Sequence, residues 1–327
     1  PPPGAHSKAK NEPPPPPPVK TAKVGNVDVN GKTVNVGDTV DFTVSAAVPA
    51  SADNYDVYPF TITDTASRGL QVAATSTFKV QVDGTNVDDS LYTVSQTGNA
   101  QSGTTTTITF TNAKSLKGKT IVVSYTGVVT KDALTDLGGS VNNKAMITTN
   151  GGASGEGTTE SKTYGFQFKK IGVGGDENAL AGAQFVVKKK DGKFLRQDTE
   201  SKAWSSVDDQ TNATVFTSGA DGLVQFKGLA AGDYTVVETN APNGYAQNFK
   251  VTFDVSIAEN GTVTFTQDAL KQVTLPTGDQ IATVKNVKSI TQLPLTGAAG
   301  TTLFIVVALL LAGAGVTVVV KSRQRMH

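Results

Sequence analysis

Five strand-like stretches of this chain place an ionisable or amide side chain on a face that ought to be apolar. Successive side chains of a strand alternate between faces, so Phe166, Phe168 and Lys170 share one face, as do Tyr234, Val236 and Glu238, and Ala282, Val284 and Asn286. Nearer the N-terminus Phe60, Ile62 and Asp64 share a face, and Val141, Asn143, Ala145 and Ile147 another. Each half thus offers a lysine near its start, an acid in its middle and an asparagine near its end. An unpaired lysine or carboxylate in a core costs several kcal/mol. Burial lowers a lysine's pKa until the free amine is available, and it keeps a carboxylic acid protonated. At strand ends that emerge into water the same residues would do no chemistry, and alternation alone leaves both arrangements open.

Other chemistry is excluded by composition. His6 and His327 are the only histidines, both in terminal tails, and there is no cysteine. No metal-ligand cluster, phosphate-binding glycine loop or nucleophile elbow occurs, so neither a turnover enzyme nor a cofactor is expected. Gly172-Val-Gly-Gly175 reads as a turn, because no helical pattern follows it. The net charge of +1 is spread along the chain, which leaves no nucleic-acid footprint.

The elements that must position these residues are strands. Val40–Val44, Phe60–Ile62, Phe78–Val82, Ile108–Phe110, Ile121–Tyr125 and Ala145–Ile147 alternate apolar and polar, separated by turns such as Asn30-Gly31, Asp83-Gly84 and Lys117-Gly118. Phe166–Phe168, Ala183–Val187, Val224–Phe226, Tyr234–Val236, Val251–Val255, Val263–Phe265 and Ala282–Val284 repeat the pattern. The pattern predicts an all-β chain with one sandwich over 19–159 and a second over 163–289, joined by a loose glycine-rich junction at 150–157. Residues 1–18, ending in Pro13–Pro18, read as a stiff polyproline linker.

Beyond residue 289 the composition changes. From Ala298 to Val320 no side chain is charged, and about 23 residues suffice for a helix to cross a bilayer. Lys321, Arg323 and Arg325 follow directly, which places that end in the cytoplasm and all before it outside the cell. The chain begins Pro1-Pro-Pro without an apolar leader, so an export signal and a preceding domain are expected upstream. An exported chain without cysteine needs a stabilising device other than disulfides. Immediately before the span stands Leu293-Pro-Leu-Thr-Gly297. This resembles the LPxTG sorting signal of Gram-positive surface proteins, at which a sortase cleaves between threonine and glycine. The resemblance implies recognition of Leu293, Pro294, Thr296 and Gly297, cleavage at Thr296–Gly297, and transfer of Thr296 to an amine.

Tyr234-Thr-Val-Val-Glu238-Thr-Asn-Ala241-Pro242-Asn-Gly244-Tyr245 resembles the E-box of sortase-assembled Gram-positive pilins, with Val236 where leucine is usual. Leu180–Phe185 adds a second likeness to their B-type domain. Val36–Val40, Ile62–Thr65, Gly69-Leu70 and Asn143–Ala145 are similar to their middle domain. The family implies two immunoglobulin-like β-sandwich domains in tandem followed by one C-terminal transmembrane helix, and a self-formed Lys–Asn isopeptide bond in each domain. Carried over, Lys170 is the nucleophile, Asn286 the acceptor and Glu238 the catalyst. In the first domain Asp64 and Asn143 take the corresponding places, with Lys20 as the lysine and Lys23 on the same strand as its alternative. Folding would align amine and carboxamide, replacing a bimolecular encounter with a high effective concentration. The implied partners are a class C pilus sortase, a housekeeping sortase, other subunits in a covalent homopolymer and peptidoglycan. Lys10, in His6–Glu12, stands where such pilins keep the lysine that receives the next subunit's Thr296, although the usual tyrosine and proline are missing. Two functions are open: the polymerised shaft subunit of a pilus, or a singly anchored adhesin or minor pilin that binds a host surface ligand. A working acceptor lysine separates them.

Overall fold

The structure, a computed structural model, describes residues 12–173 and 179–293. Among these the chain is all-β, and its helices are 3-10 segments of three to five residues. Lys10, the 298–320 span, and Pro294, Thr296 and Gly297 lie outside the described residues. The chain forms two compact units. Among the described residues, one holds the chain up to Gly165 together with Gln197–Trp204 and Lys227–Ala231, and the other holds the remainder.

The first unit has two sheets. In one, the Thr39–Ala47 strand lies between Val19–Val24 and Thr120–Val129, and the latter continues to Lys79–Val82. In the other, Phe60–Ala66 lies between Gly139–Thr149 and Gly103–Phe110, with Tyr92–Asn99 beyond, and Gly157–Thr163 pairs with Gly139–Ala145. Alternation decides which side chains meet. Phe60, Ile62, Asp64 and Ala66 all point inward, as do Lys20 and Ala22. The Tyr125 ring stacks between Phe42 and Phe78, at centroid distances of 5.4 and 4.6 Å. At the Val82–Thr85 hairpin Asp83 and Gly84 both have positive φ, 51° and 76°, the twist that a two-residue hairpin turn requires.

In the second unit the far half of the Gly157–Gly172 strand runs parallel to Ala282–Asn286, and antiparallel Val273–Thr274 follows. The opposing sheet contains Gln184–Lys189, Gly232–Asn240, Thr252–Ile257 and Val263–Phe265. Between them Phe168 meets Phe185 and Phe253 edge to face at 5.0 and 5.3 Å, a favoured aromatic geometry, and Phe166 stacks on Phe226.

Two expectations about the connections are corrected. The 150–157 stretch is no loose junction. Gly152-Ala153 turns back to pair with Thr148-Thr149, and Gly157 starts a single strand that continues to Gly172. Nor do Pro13–Pro18 stand clear of the body as a spacer. Pro15 and Pro18 are buried with their neighbours exposed, the period of three that a polyproline helix presents when one edge is docked. Glycines make the docking possible. A Cβ on Gly157 would fall 2.2 Å from the Pro18 carbonyl oxygen, and one on Gly151 would fall 2.3 Å from that of Pro13. Glu12 closes the segment, its Oε1 accepting hydrogen bonds from Tyr58 (2.8 Å) and Ser51 (2.7 Å).

Candidate functional site

Each unit buries one lysine, one acid and one asparagine together. In the second unit Lys170 and Asn286 are fully buried and Glu238 is 2% exposed. Lys170 lies opposite Val284 and Gly172 opposite Asn286 on the parallel pair, so Lys170 and Asn286 are same-face diagonal neighbours. Glu238 reaches them from the other sheet. Its Oε1 is 3.2 Å from Lys170 Nζ, and its Oε2 accepts hydrogen bonds from Asn286 Nδ2 (3.1 Å) and the Val251 amide (2.8 Å).

The Glu238 strand ends in a turn braced locally. Gln247 closes a two-way hydrogen bond with the Ala241 backbone, and Gly244 takes a φ of 85° that a side chain would strain. Asp268 is tied by the amides of Val273 and Leu270. The Lys170 ammonium lies 5.6 Å from the Phe185 ring centroid.

Burial in this apolar shell lowers the Lys170 pKa to about 8, with the charges of Glu238 and Asp268 opposing the shift. Lys170 Nζ, Glu238 Oε1 and Asn286 Oδ1 have no properly directed hydrogen bond. Buried polar atoms are normally satisfied, so three unsatisfied atoms in one cluster require an explanation. Condensing the amine with the carboxamide would replace a desolvated ammonium and a primary amide by one neutral amide.

The first unit assembles the same groups differently. Lys20 comes from one sheet, and Asp64 and Asn143 from neighbouring strands of the other, where Asp64 faces Ala145 and Ala66 faces Asn143. Lys20 Nζ contacts Asp64 Oδ2 directly. Burial lowers the Lys20 pKa, and Asp64 opposes the shift; burial raises that of Asp64, and Lys20 opposes it. Both directions favour a neutral amine beside a neutral acid. Asn143 Oδ1 is buried without a partner. Lys23 is on the outward face of the same strand, exposed to solvent and opposite Asp41. Period two alone separates it from the cluster.

Sequence reasoning overlooked Tyr125. Its hydroxyl donates to Asp64 Oδ1 (2.7 Å) and accepts from Lys20 Nζ (2.8 Å) and Asn143 Nδ2 (2.8 Å). The signal was available, because Ile121, Val123 and Tyr125 share the inward face of a strand. Of the sorting-signal residues only Leu293 is described. It is buried against Phe249 and Val287 at the end of the second unit.

Comparisons with known proteins agree with this architecture. Residues 165–270 match the family described as a prealbumin-like fold domain (SpaA), and residues 285–325 match the LPXTG cell wall anchor motif. A search of curated proteins finds no match. Among solved structures, the chain is similar to the pilus 2b backbone protein of group B streptococcus, with 27% identity, a TM-score of 0.56, and coverage of 83% of this chain and 98% of that one. The 35 kDa C-terminal fragment of the major pilin GBS80 of Streptococcus agalactiae shares 20% identity at a TM-score of 0.58, covering 83% and 99%. The Corynebacterium diphtheriae major pilin SpaA shares 17% at 0.55, covering 83% and 69%. At these last two identities the likeness is one of fold.

Proposed function

We propose that this chain, a sortase-assembled pilin of the Gram-positive type, serves as a shaft subunit that two self-formed Lys–Asn isopeptide bonds hold rigid. The LPXTG anchor makes it a cell wall-anchored surface protein. Its polymerisation by a class C sortase, its transfer to peptidoglycan by a housekeeping sortase, and its support of adhesion belong to the proposal. So does the division into a proline-rich lead (1–18), a middle domain (19–159), a B-type domain (163–289) and a sorting segment (293–327) with a transient membrane helix.

One observation carries the crosslink reading: each unit desolvates a lysine, an acid and an asparagine together, and leaves the asparagine Oδ1 without a hydrogen-bond partner. In the second unit the neutral Lys170 amine adds to Asn286 Cγ. A Glu238 oxygen takes one proton from the attacking nitrogen and delivers it to Nδ2. The Cγ–Nδ2 bond then breaks, its electron pair leaving with nitrogen, and ammonia departs from a new secondary amide. In the first unit Lys20 adds to Asn143 Cγ in the same way, with Asp64 beside the amine, and the same bonds form and break. Each molecule reacts once.

The bonds suit a load-bearing chain. A pull entering at Lys20 passes to Asn143 without loading the strands between, and a pull reaching Lys170 passes to Asn286. The intact mass of the full chain tests this. Two bonds predict a mass below the calculated value by two ammonia molecules, with Lys20–Asn143 and Lys170–Asn286 recovered as linked peptides. An unshifted mass would sink the crosslink reading and leave the wall-anchored pilin without its proposed stabilisation.

A further inference from the structure

The Tyr125 hydroxyl touches all three reactive groups of the first unit, at 2.7 Å from Asp64 Oδ1 and 2.8 Å from both Lys20 Nζ and Asn143 Nδ2. We propose that Tyr125 is a catalytic residue of the first-unit condensation, relaying the proton from the attacking Lys20 amine to the departing Asn143 nitrogen. The inference rests on the crosslink reading above and assigns a role which that reading leaves open.

Asp64 contacts Lys20 directly, but the described hydrogen bonds include none between Asp64 and the Asn143 amide. Asn143 Nδ2 donates to Tyr125. The leaving nitrogen therefore has its hydrogen-bond partner in a phenol, and the phenol in turn is hydrogen-bonded to both the acid and the amine. When Lys20 Nζ adds to Asn143 Cγ, the amine becomes cationic and must lose a proton, and Nδ2 must gain one before it can leave. Tyr125 meets both needs without net change. Its oxygen takes a proton from Nζ, directly or through Asp64, and its own proton passes to Nδ2. The Cγ–Nδ2 bond then breaks with its electron pair on nitrogen. One amide bond has formed, one has broken, ammonia has left, and Tyr125 and Asp64 end as they began.

The surroundings suit this role. Tyr125 is held from both faces by Phe42 and Phe78, with interplanar angles of 23° and 7°, so its oxygen has a fixed position at the centre of the cluster. The titratable groups facing it are Lys20 and Asp64. Burial and the Asp64 carboxyl hold the phenol well above its ordinary pKa, so it keeps its proton at neutral pH. The second unit needs no such relay, because Glu238 Oε2 itself accepts from Asn286 Nδ2 while Oε1 faces Lys170. The difference follows from topology. Lysine and asparagine sit side by side on one sheet in the second unit, but come from opposing sheets in the first.

The test follows crosslinking in the full chain after cell-free synthesis. Samples are quenched at intervals, and the two linked peptides are quantified separately. In Tyr125→Phe the ring and its stacking remain. The Lys20–Asn143 bond should form about a hundredfold more slowly, while Lys170–Asn286 forms at the normal rate and reports that the chain has folded. With Asp64 left as the only proton carrier, the residual rate should gain less than wild type as pH rises, because the proton for Nδ2 must then come from an acid that ionises. Phe78→Leu disturbs the stacking but keeps the hydroxyl, and should leave the Lys20–Asn143 rate within a few-fold of wild type. A wild-type rate and pH profile in Tyr125→Phe would overturn the relay, as would an equal slowing by Phe78→Leu. Absence of the Lys20–Asn143 bond from the wild-type chain would instead overturn the crosslink reading for that unit.

Discussion

Lys170 and Asn286 occupy neighbouring parallel strands two residues apart in register, both fully buried, whereas Lys20 and Asn143 face each other from opposite sheets. A bond between the first pair would tie adjacent strands of one sheet. A bond between the second would rivet two sheets together. The two proposed crosslinks would therefore have different mechanical and chemical requirements.

Removing the tie in the second unit should lower its stability without changing its fold. Lys170→Met keeps the volume of the apolar stem and removes the nucleophile. The closed loop of residues 170–286 is long enough for the chain-entropy model of crosslinks to assign it about 5 kcal/mol. We expect the mass to lie one ammonia, not two, below the value calculated for the variant, and the melting temperature of that unit to fall. Scanning calorimetry beside the wild type reads both the size of the loss and whether the first unit is spared.

Crosslinking in the second unit should accelerate with pH. The attacking species is the neutral amine, and the Lys170 pKa is lowered to about 8. The rate of Lys170–Asn286 formation should therefore rise through about pH 8 and level off above it. A linked effect appears in Asn286→Ala, where the lysine stays free. Its folded-state pKa is below the ordinary 10.5, so between the two values the unfolded chain binds more protons. Stability of this variant should rise with pH across that window and be lowest below it. Denaturant titrations at pH 7 and 10 check the sign.

The glycine groove under the proline segment should tolerate no side chain. In Gly157→Ala the new methyl would overlap the Pro18 carbonyl, two residues before Lys20. We expect a loss of about 1–3 kcal/mol, the usual cost of overpacking, with faster proteolysis ahead of Val19. Gly152→Ala is the contrasting case. No atom crowds its added methyl, although its φ of 101° brings backbone strain of its own.

Under force the wild-type chain should resist extension of both units. Lys20→Met should release the residues between 20 and 143, adding roughly 400 Å of contour length when the first unit gives way. Single-molecule pulling from the two ends distinguishes this from a chain in which hydrogen bonds alone carry the load, which would show the same extension with Lys20 intact.

Much of the candidate site was legible in the sequence. Period two turned Lys170, Glu238, Asn286, Asp64 and Asn143 toward the core, because a strand's side chains have only two faces to choose from. The same rule separates Lys20 from Lys23, but that short strand has too few apolar residues for its inward face to be recognised without its partner. The expectation of a membrane span rests on local composition alone, and its residues lie outside the described ones. What only the tertiary structure decided was which strands meet. Alternation says which face a residue occupies but not what stands across from it, since strand pairing and sheet packing join positions far apart in sequence. Thus Tyr125 became the centre of the first cluster when its strand packed opposite Asp64 and Asn143. Gly151 and Gly157 became a groove when the prolines lay down on them. A lysine, an acid and an asparagine were present in each half from the start, but their distances, their desolvation and their unsatisfied atoms exist only once the two sheets of each unit have closed.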